Sequence, residues 1–335
     1  MNAHKSMKVY QKVMKRNMVL TFVGLLLLLL FLLITIKNTS RKILDRSFEK
    51  KSLSKLDLYQ EGIARLTTEK ITNKIKHIER LAKDRDLRYY VSSKDVSFIG
   101  SYLAENNQNE FDNLLVVDRY GKLIYIQKVE EGRKDSAYGF DYSQRDYFIK
   151  ARTMKKPYVS DVLHSVTNYY SVVFVAPVTN VNDEMEYMLI GSKRLENMII
   201  DFNFSTYFDS FYSVLLDSQG NLITNGRYNL SESRNFKKDY GYVAELMKPH
   251  TPLFIENAGL SGERAYIKST NLKVGNNDFT LLSYFSLDEY RMEVDNINRE
   301  IIHGVIKIAT LSFMLFIFSW YLTYEFVKEN IKSNG

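Results

Sequence analysis

Residues 18–36 read MVLTFVGLLLLLLFLLITI, an uncharged run of 19 residues. As a helix it is long enough to cross the hydrocarbon core of a bilayer. Lys37, Asn38 and Thr39 follow it. They offer no small-residue cleavage site, so the run predicts an uncleaved anchor rather than a signal peptide. A second run, IATLSFMLFIFSWYLTY, covers 308–324 and has no polar face. Lys307 at one end can snorkel, and Trp320, Tyr321 and Tyr324 suit the opposite interface, which predicts a second span over 304–324. Two spans place both termini, 1–17 and 325–335, on one side of the membrane.

Between the spans the pattern changes period twice. Residues 41–90 contain no proline and only Gly62, and Ile71, Ile75, Ile78 and Leu81 recur on one helical face. They predict a long stalk helix over 37–90, with some 40 of its residues spanning about 60 Å. Beyond it the chain echoes itself: LLVVDRYGKLI at 114–124 and SVLLDSQGNLI at 213–223, offset by 99 residues. In each, an apolar strand runs into Asp-x-x-Gly and a second strand opens with Leu-Ile. Asp favours the start of a tight turn and Gly supplies its positive φ, so each predicts a β-hairpin. YYSVVFVAPV (169–178) and EYMLIGSKRL (186–195) predict further strands after the first hairpin. ERAYIKSTN (263–271) and DFTLLSYF (278–285) do so after the second, with turns at Asn182-Asp183 and Gly275-Asn276-Asn277. The echo predicts two modules, 91–204 and 205–300, produced by duplication. The fold class is α+β: a long N-terminal helix and two antiparallel-sheet modules, flanked by two transmembrane helices.

Charge narrows the setting. Lys5, Lys8, Lys12, Lys15 and Arg16 precede the first span without an acid, which favours a cytoplasmic N-terminus. Lys37, Arg41, Lys42 and Arg46 follow it, but a domain as long as 37–303 translocates largely regardless of charge. The net charge of +7 is spread along the chain, with no basic block interleaved with aromatics, so nucleic acid is not an expected partner. The absence of cysteine rules out disulfides and thiol catalysis. The five histidines are scattered, and no phosphate loop, His-Glu-x-x-His or Gly-x-Ser-x-Gly is present. No enzyme activity, cofactor or metal site is expected.

The stretch YSQRDYF, 142–148, carries the candidate chemistry. It lies in the long polar segment 141–168, and ordered loops of such length tend to carry function. Arg145 offers a permanently charged, planar two-donor fork for a carboxylate. Tyr147 adds a hydroxyl and a ring wall, and Phe148 suits the core. Tyr142 precedes the arginine, Ser160 and Asp161 follow the turn at Pro157-Tyr158, and Tyr170 and Ser171 open the next strand. The alternative for Arg145 is a surface arginine paired with Asp141 or Asp146, a common and weak arrangement.

The segment YSQRDYFIKARTMKKPYVSD (142–161), followed by YYSVVFVAPV, resembles the most recognisable stretch of the double Cache extracellular sensors of bacterial receptors. There an Arg-x-aromatic-aromatic helix start precedes a Pro-Tyr-Val-Ser-like turn and a strand ending in Ala-Pro. The resemblance covers about 37–300 and is stronger over 37–200. It implies that both modules are PAS-like, with a small-molecule site in the membrane-distal one and a signal passed through the second span to a cytoplasmic output. Amino-acid-binding members carry a tyrosine five residues before the arginine, Trp-Tyr after one spacer, and a late aspartate after a glycine. Here Phe140, Tyr147-Phe148 and, after Gly191, Lys193 stand at those places. An acid replaced by Lys193 repels an ammonium. If Lys193 faces the pocket, the expected ligand is a carboxylate, even a dicarboxylate, held by Arg145 and Lys193; the alternative is a lysine that points to solvent. The ligand set expected from the sequence is Arg145, Tyr147, Tyr142, Tyr158, Ser160, Asp161, Tyr170, Ser171 and Lys193.

After Tyr324 only EFVKENIKSNG remains, so an output domain is expected on a separate protein or on a missing part of the chain. The expected protein is a two-pass, inner-membrane, homodimeric sensor with 37–303 outside the cytoplasm. The competing reading is a surface-anchored binding or adaptor protein that acts on a partner without transmembrane signalling.

Overall fold

The computed structural model describes residues 2–127, 137–166, 168–180, 182, 184–201, 211–225, 234–248 and 264–333. The chain divides into two units, 53–288 and the two terminal stretches 1–52 and 289–335.

Helix α1 (Asn2–Lys83) supplies the stripe read from the sequence. Ile71, Ile78 and Leu81 are buried, and Ile75 packs against the same core. The helix closes at Lys83 rather than at 90, and it begins well before 37. The break has a local cause: Asp84 is extended (ψ 137°) and its carboxylate accepts the amide of Asp86, capping α2 (Arg85–Ser93). Helix α3 (Val96–Asn106) follows, capped in the same way by Asp95.

The distal sheet contains β1 (Asn113–Asp118), β2 (Leu123–Ile126), β3 (Tyr158–Val159), β4 (Leu163–His164), β5 (Tyr170–Thr179) and β6 (Met185–Arg194). Its order is β2-β1-β6-β5-β3, with β4 also paired to β5, and every pair is antiparallel. A 3-10 turn (Tyr142–Gln144) and helix α4 (Asp146–Met154) lie between β2 and β3 in the chain. Side chains alternate between two buried faces. Val172, Phe174 and Leu189 join α1 residues in one cluster; Val173, Val175, Met188 and Ile190 join Tyr142, Tyr147 and Phe148 in the other. A short helix α5 (Leu195–Asp201) leads on to the proximal sheet. Its strands β7 (Phe211–Leu216) and β8 (Leu222–Asn225) precede two short helices, α6 (Phe236–Asp239) and α7 (Val243–Leu246). Then come β9 (Ala265–Val274) and β10 (Asn277–Ser286), in the order β8-β7-β10-β9. All four long strands fall where the apolar patterns place them. Asp183, half of one expected turn, lies outside the described residues.

The echo is repeated bond for bond. Asp118 Oδ1 accepts the amides of Tyr120 and Lys122, and Asp217 Oδ1 accepts those of Gln219 and Asn221. Gly121 and Gly220 sit at φ +83° and +84°. Each glycine carbonyl then accepts an amide from the next short element, Tyr142 for Gly121 (3.1 Å) and Phe236 for Gly220 (2.8 Å). Side chains are excluded at both places. A Cβ on Gly121 would come within 2.7 Å of Ser143 Cα, and one on Gly220 within 2.7 Å of Lys237 Cβ. The Asp-x-x-Gly hairpin is therefore the seat on which YSQR rests.

The other unit consists of helix. Lys15–Thr39 of α1 and Val294–Phe326 of α8 (Leu287–Ser333) are long and apolar enough to cross a membrane, and they enclose both expected spans. Phe22 and Phe313 meet edge to face at 5.1 Å. Their other large side chains, such as Leu27, Phe31, Leu315 and Phe318, stay exposed. A soluble helix would bury such a face, so the exposure is consistent with membrane anchoring.

Candidate functional site

A small cavity of 30 Å³ lies between the distal sheet and the YSQR turn. The sheet contributes Asn113, Leu115, Val173, Ile190 and Ser192; the turn and α4 contribute Tyr142, Arg145 and Tyr147; Leu163, Ser165 and Val166 close it. Arg145 is the one charged residue among these. It is extended (φ −75°, ψ 134°) between the 3-10 turn and α4, and its carbonyl accepts the amides of Phe148 and Ile149. Its guanidinium carbon lies 4.7 Å from the centre of the Phe140 ring. Asp146 pairs instead with Lys150 at 2.8 Å, and Asp141 accepts the amide of Ser143. No carboxylate among the described residues pairs with Arg145, so the surface-pair alternative does not describe it.

Tyr142 is 2% exposed, and its hydroxyl makes no hydrogen bond to any described residue. Burial pushes that hydroxyl up to about 12, against the opposing pull of the Arg145 charge. Tyr147 is shifted upward for the same reasons, burial first. Both phenols stay protonated at neutral pH and present donors next to a cation. A buried donor without an acceptor costs stability, and such groups mark places where a ligand or water supplies the missing bond.

The fold brings Arg145, Tyr142 and Tyr147 together and sends most of the other expected residues elsewhere. Tyr158 is buried below α4, where its hydroxyl takes a hydrogen bond from Lys150 (3.1 Å). Ser160 Oγ accepts the amide of Val173 and donates to the Asp161 carbonyl. Asp161 reaches the proximal module, accepting from Ser218 N, Ser218 Oγ and Asn277 Nδ2. Tyr170 packs against the α1-side cluster and its ring meets His164. Ser171 is 1% exposed, lies on the cavity's face two residues before Val173, and its Oγ has no partner among the described residues. Lys193 does not share a site with Arg145. Strand alternation turns Ser192 and Arg194 to the cavity face and Lys193 to the opposite one, where its Nζ donates to the Asn109 carbonyl (3.4 Å).

Asn113 and Ser192, absent from the expected set, face each other across β1 and β6. The internal repeat could have found them. The corresponding pair across β7 and β10 is Tyr212 and Tyr284, whose rings stack at 4.6 Å with 5° between planes. Tyr242 reaches the Tyr284 hydroxyl at 3.5 Å. On the glycine-docked element Phe236 stands where the distal module has Tyr142, and Asp239 follows it as Arg145 follows Tyr142. The proximal module thus fills with aromatic rings the space that the distal module lines with small polar groups, and it carries an acid in place of the cation.

No family model and no curated protein matches the sequence. Solved structures do match. The ligand-binding domain of the Pseudomonas fluorescens chemoreceptor CtaA in complex with L-serine superimposes at a TM-score of 0.55 with 14% identity, over 71% of this chain and 99% of that one. The ligand-binding domain of the Pseudomonas aeruginosa amino acid chemoreceptor PctB in complex with L-Arg gives 0.56 with 13% identity, over 71% and 96%. An extracellular ligand binding receptor from Desulfohalobium retbaense gives 0.51 with 12% identity; the match covers 69% of this chain but only 40% of that receptor. All three are sensor or ligand-binding domains rather than catalytic ones. The α+β architecture with two antiparallel sheets has the fold of the double Cache sensor domain.

Proposed function

We propose that this chain is a membrane-anchored extracytoplasmic sensor whose distal module binds a small carboxylate through Arg145. The observation that carries the reading is the composition of the cavity: one unpaired guanidinium, neutral polar groups and apolar walls, with no acid among its described lining residues. A carboxylate gains a charge-assisted, two-pronged contact there, with the Tyr142 hydroxyl as a further donor. An α-amino acid, such as those bound by the two chemoreceptor domains, would find no acid for its ammonium. Room for the ligand comes from Arg145 itself: leaving the Phe140 ring costs about 1 kcal/mol. The two spans anchor the chain with 37–303 outside the cytoplasm. Homodimers paired along the exposed face of α1 pass ligand occupancy to a separate output protein as a population shift. The filled proximal module and the unfilled distal one support the assignment of the ligand to the distal half.

The test is calorimetry on the full chain in detergent, against unbranched carboxylates, amines and amino acids. Carboxylate binding that is lost in Arg145→Gln supports the reading. Binding of amines or amino acids with no response to carboxylates overturns it.

A further inference from the structure

We infer that the cavity continues to a second anion contact made by Arg194 and Ser171, which makes the ligand a short-chain dicarboxylate; this rests on Arg145 holding the first carboxylate. Val173 and Ser192, which are register partners on β5 and β6, both line the cavity. The next pair on the same face is Ser171 and Arg194, about 7 Å further along the strands. Across β4, Ser171 pairs with Leu163, another cavity residue. The strip of sheet surface is therefore continuous.

Each residue of that pair carries a buried polar atom without a partner among the described residues, Ser171 Oγ and Arg194 Nε. They are adjacent across the ladder and not bonded to each other. Neither neighbouring acid bonds the Arg194 Nε. Asp112 accepts the Arg194 amide at 2.7 Å and Asn197 Nδ2 at 2.8 Å. Glu196, half exposed, meets only Nη1, at 3.5 Å. The guanidinium carbon lies 3.5 Å from the centre of the Tyr169 ring, and its Nε is left over. A fixed, partly buried guanidinium edge beside a hydroxyl donor matches a carboxylate. One register step thus replaces Lys193, which faces the other way, with Arg194 as the second cation.

The experiment measures binding of monocarboxylates from acetate to hexanoate and dicarboxylates from malonate to adipate to the full chain. The expected result is that one dicarboxylate binds about tenfold or more tighter than the monocarboxylate of equal length. Arg194→Gln and Ser171→Ala should bring that dicarboxylate down to the affinity of the monocarboxylate of equal length, while Arg145→Gln abolishes binding of both. Ser171→Ala deletes a single buried oxygen, so it keeps the test open should Arg194→Gln fail to fold. Arg145-dependent monocarboxylate binding with no dicarboxylate preference, or a preference untouched by both variants, overturns this inference alone and leaves an ordered water at Ser171 and Arg194. Failure of every carboxylate to bind overturns the Arg145 reading, and this one with it.

Discussion

Replacing Asp217 by alanine tests how the two modules are joined. The residue is fully buried, and its carboxylate accepts four hydrogen bonds: Gln219 N and Asn221 N on Oδ1, Val162 N and Asn221 Nδ2 on Oδ2. Gln219 is exposed, and water replaces its bond. The amides of Val162 and Asn221 are half-buried, and hydrogen bonds to a charged acceptor are worth about 1.5–3 kcal/mol each. Relief of the buried charge offsets part of that loss. The net expectation is about 3 kcal/mol, or a fall of about 6–12 °C in apparent Tm for a unit of this size. Asp217→Asn keeps one oxygen and should lose about half as much. Hydrogen exchange adds a local readout: the Val162 amide should lose protection in the alanine variant before β5 does. A drop of less than about 2 °C, with Val162 protection intact, would refute the reasoning. The acid also has a pH signature. Burial outweighs its hydrogen bonds and raises its folded pKa above the unfolded value. Its contribution is thus fully present below the unfolded pKa, about 3.9, and is lost as pH rises through the folded one. Asp217→Asn does not titrate, so its stability relative to wild type should improve as pH rises from about 4.

Three further outcomes are expected. Tyr142→Phe removes an unpartnered buried hydroxyl, so it should leave Tm unchanged or raise it while weakening carboxylate binding about three- to tenfold; loss of stability together with loss of binding would show the hydroxyl to be structural. Gly191→Ala should cost about 1–3 kcal/mol by thermal denaturation, because its Cβ would come within 2.7 Å of the buried Phe111 ring. Glu110→Ala should destabilise more than Lys74→Met. The first takes from a buried ammonium the carboxylate 2.7 Å away and leaves it the residue-110 carbonyl and the Phe111 ring, neither of which carries a full negative charge. The second removes the charge and keeps the bulk.

Much of the fold was legible because strands and hairpins advertise themselves locally. The apolar run of β5 and the positive-φ glycines of both hairpins need no tertiary context. The end of α1 at Lys83 was missed because a single Asp84 cap sits inside an otherwise helical composition. The cavity lining was legible at Arg145, Tyr142 and Tyr147, which fall within six consecutive residues. Lys193 was misplaced for a physical reason: β6 is buried on both faces, so its alternation carries no mark of which face meets the cavity. Asp161 and Ser160 read as pocket polars because they follow the Pro-Tyr turn, yet both satisfy backbone and inter-module bonds that no local pattern encodes.

The segment 157–166 has two edges. Pro157 O, Val159 O, Asp161 and Val162 N are bonded to Asn276, Asn277, Ser218 and Asp217 of the proximal module. Leu163, Ser165 and Val166 face the cavity. One peptide bond separates the last anchored residue, Val162, from the first cavity residue. The strip therefore behaves as a stiff hinge leaf, with its load applied at one edge and its fixings along the other. Displacing the cavity wall must strain the proximal hairpin or tear those bonds, and no chain of intermediary side chains is required to carry the force.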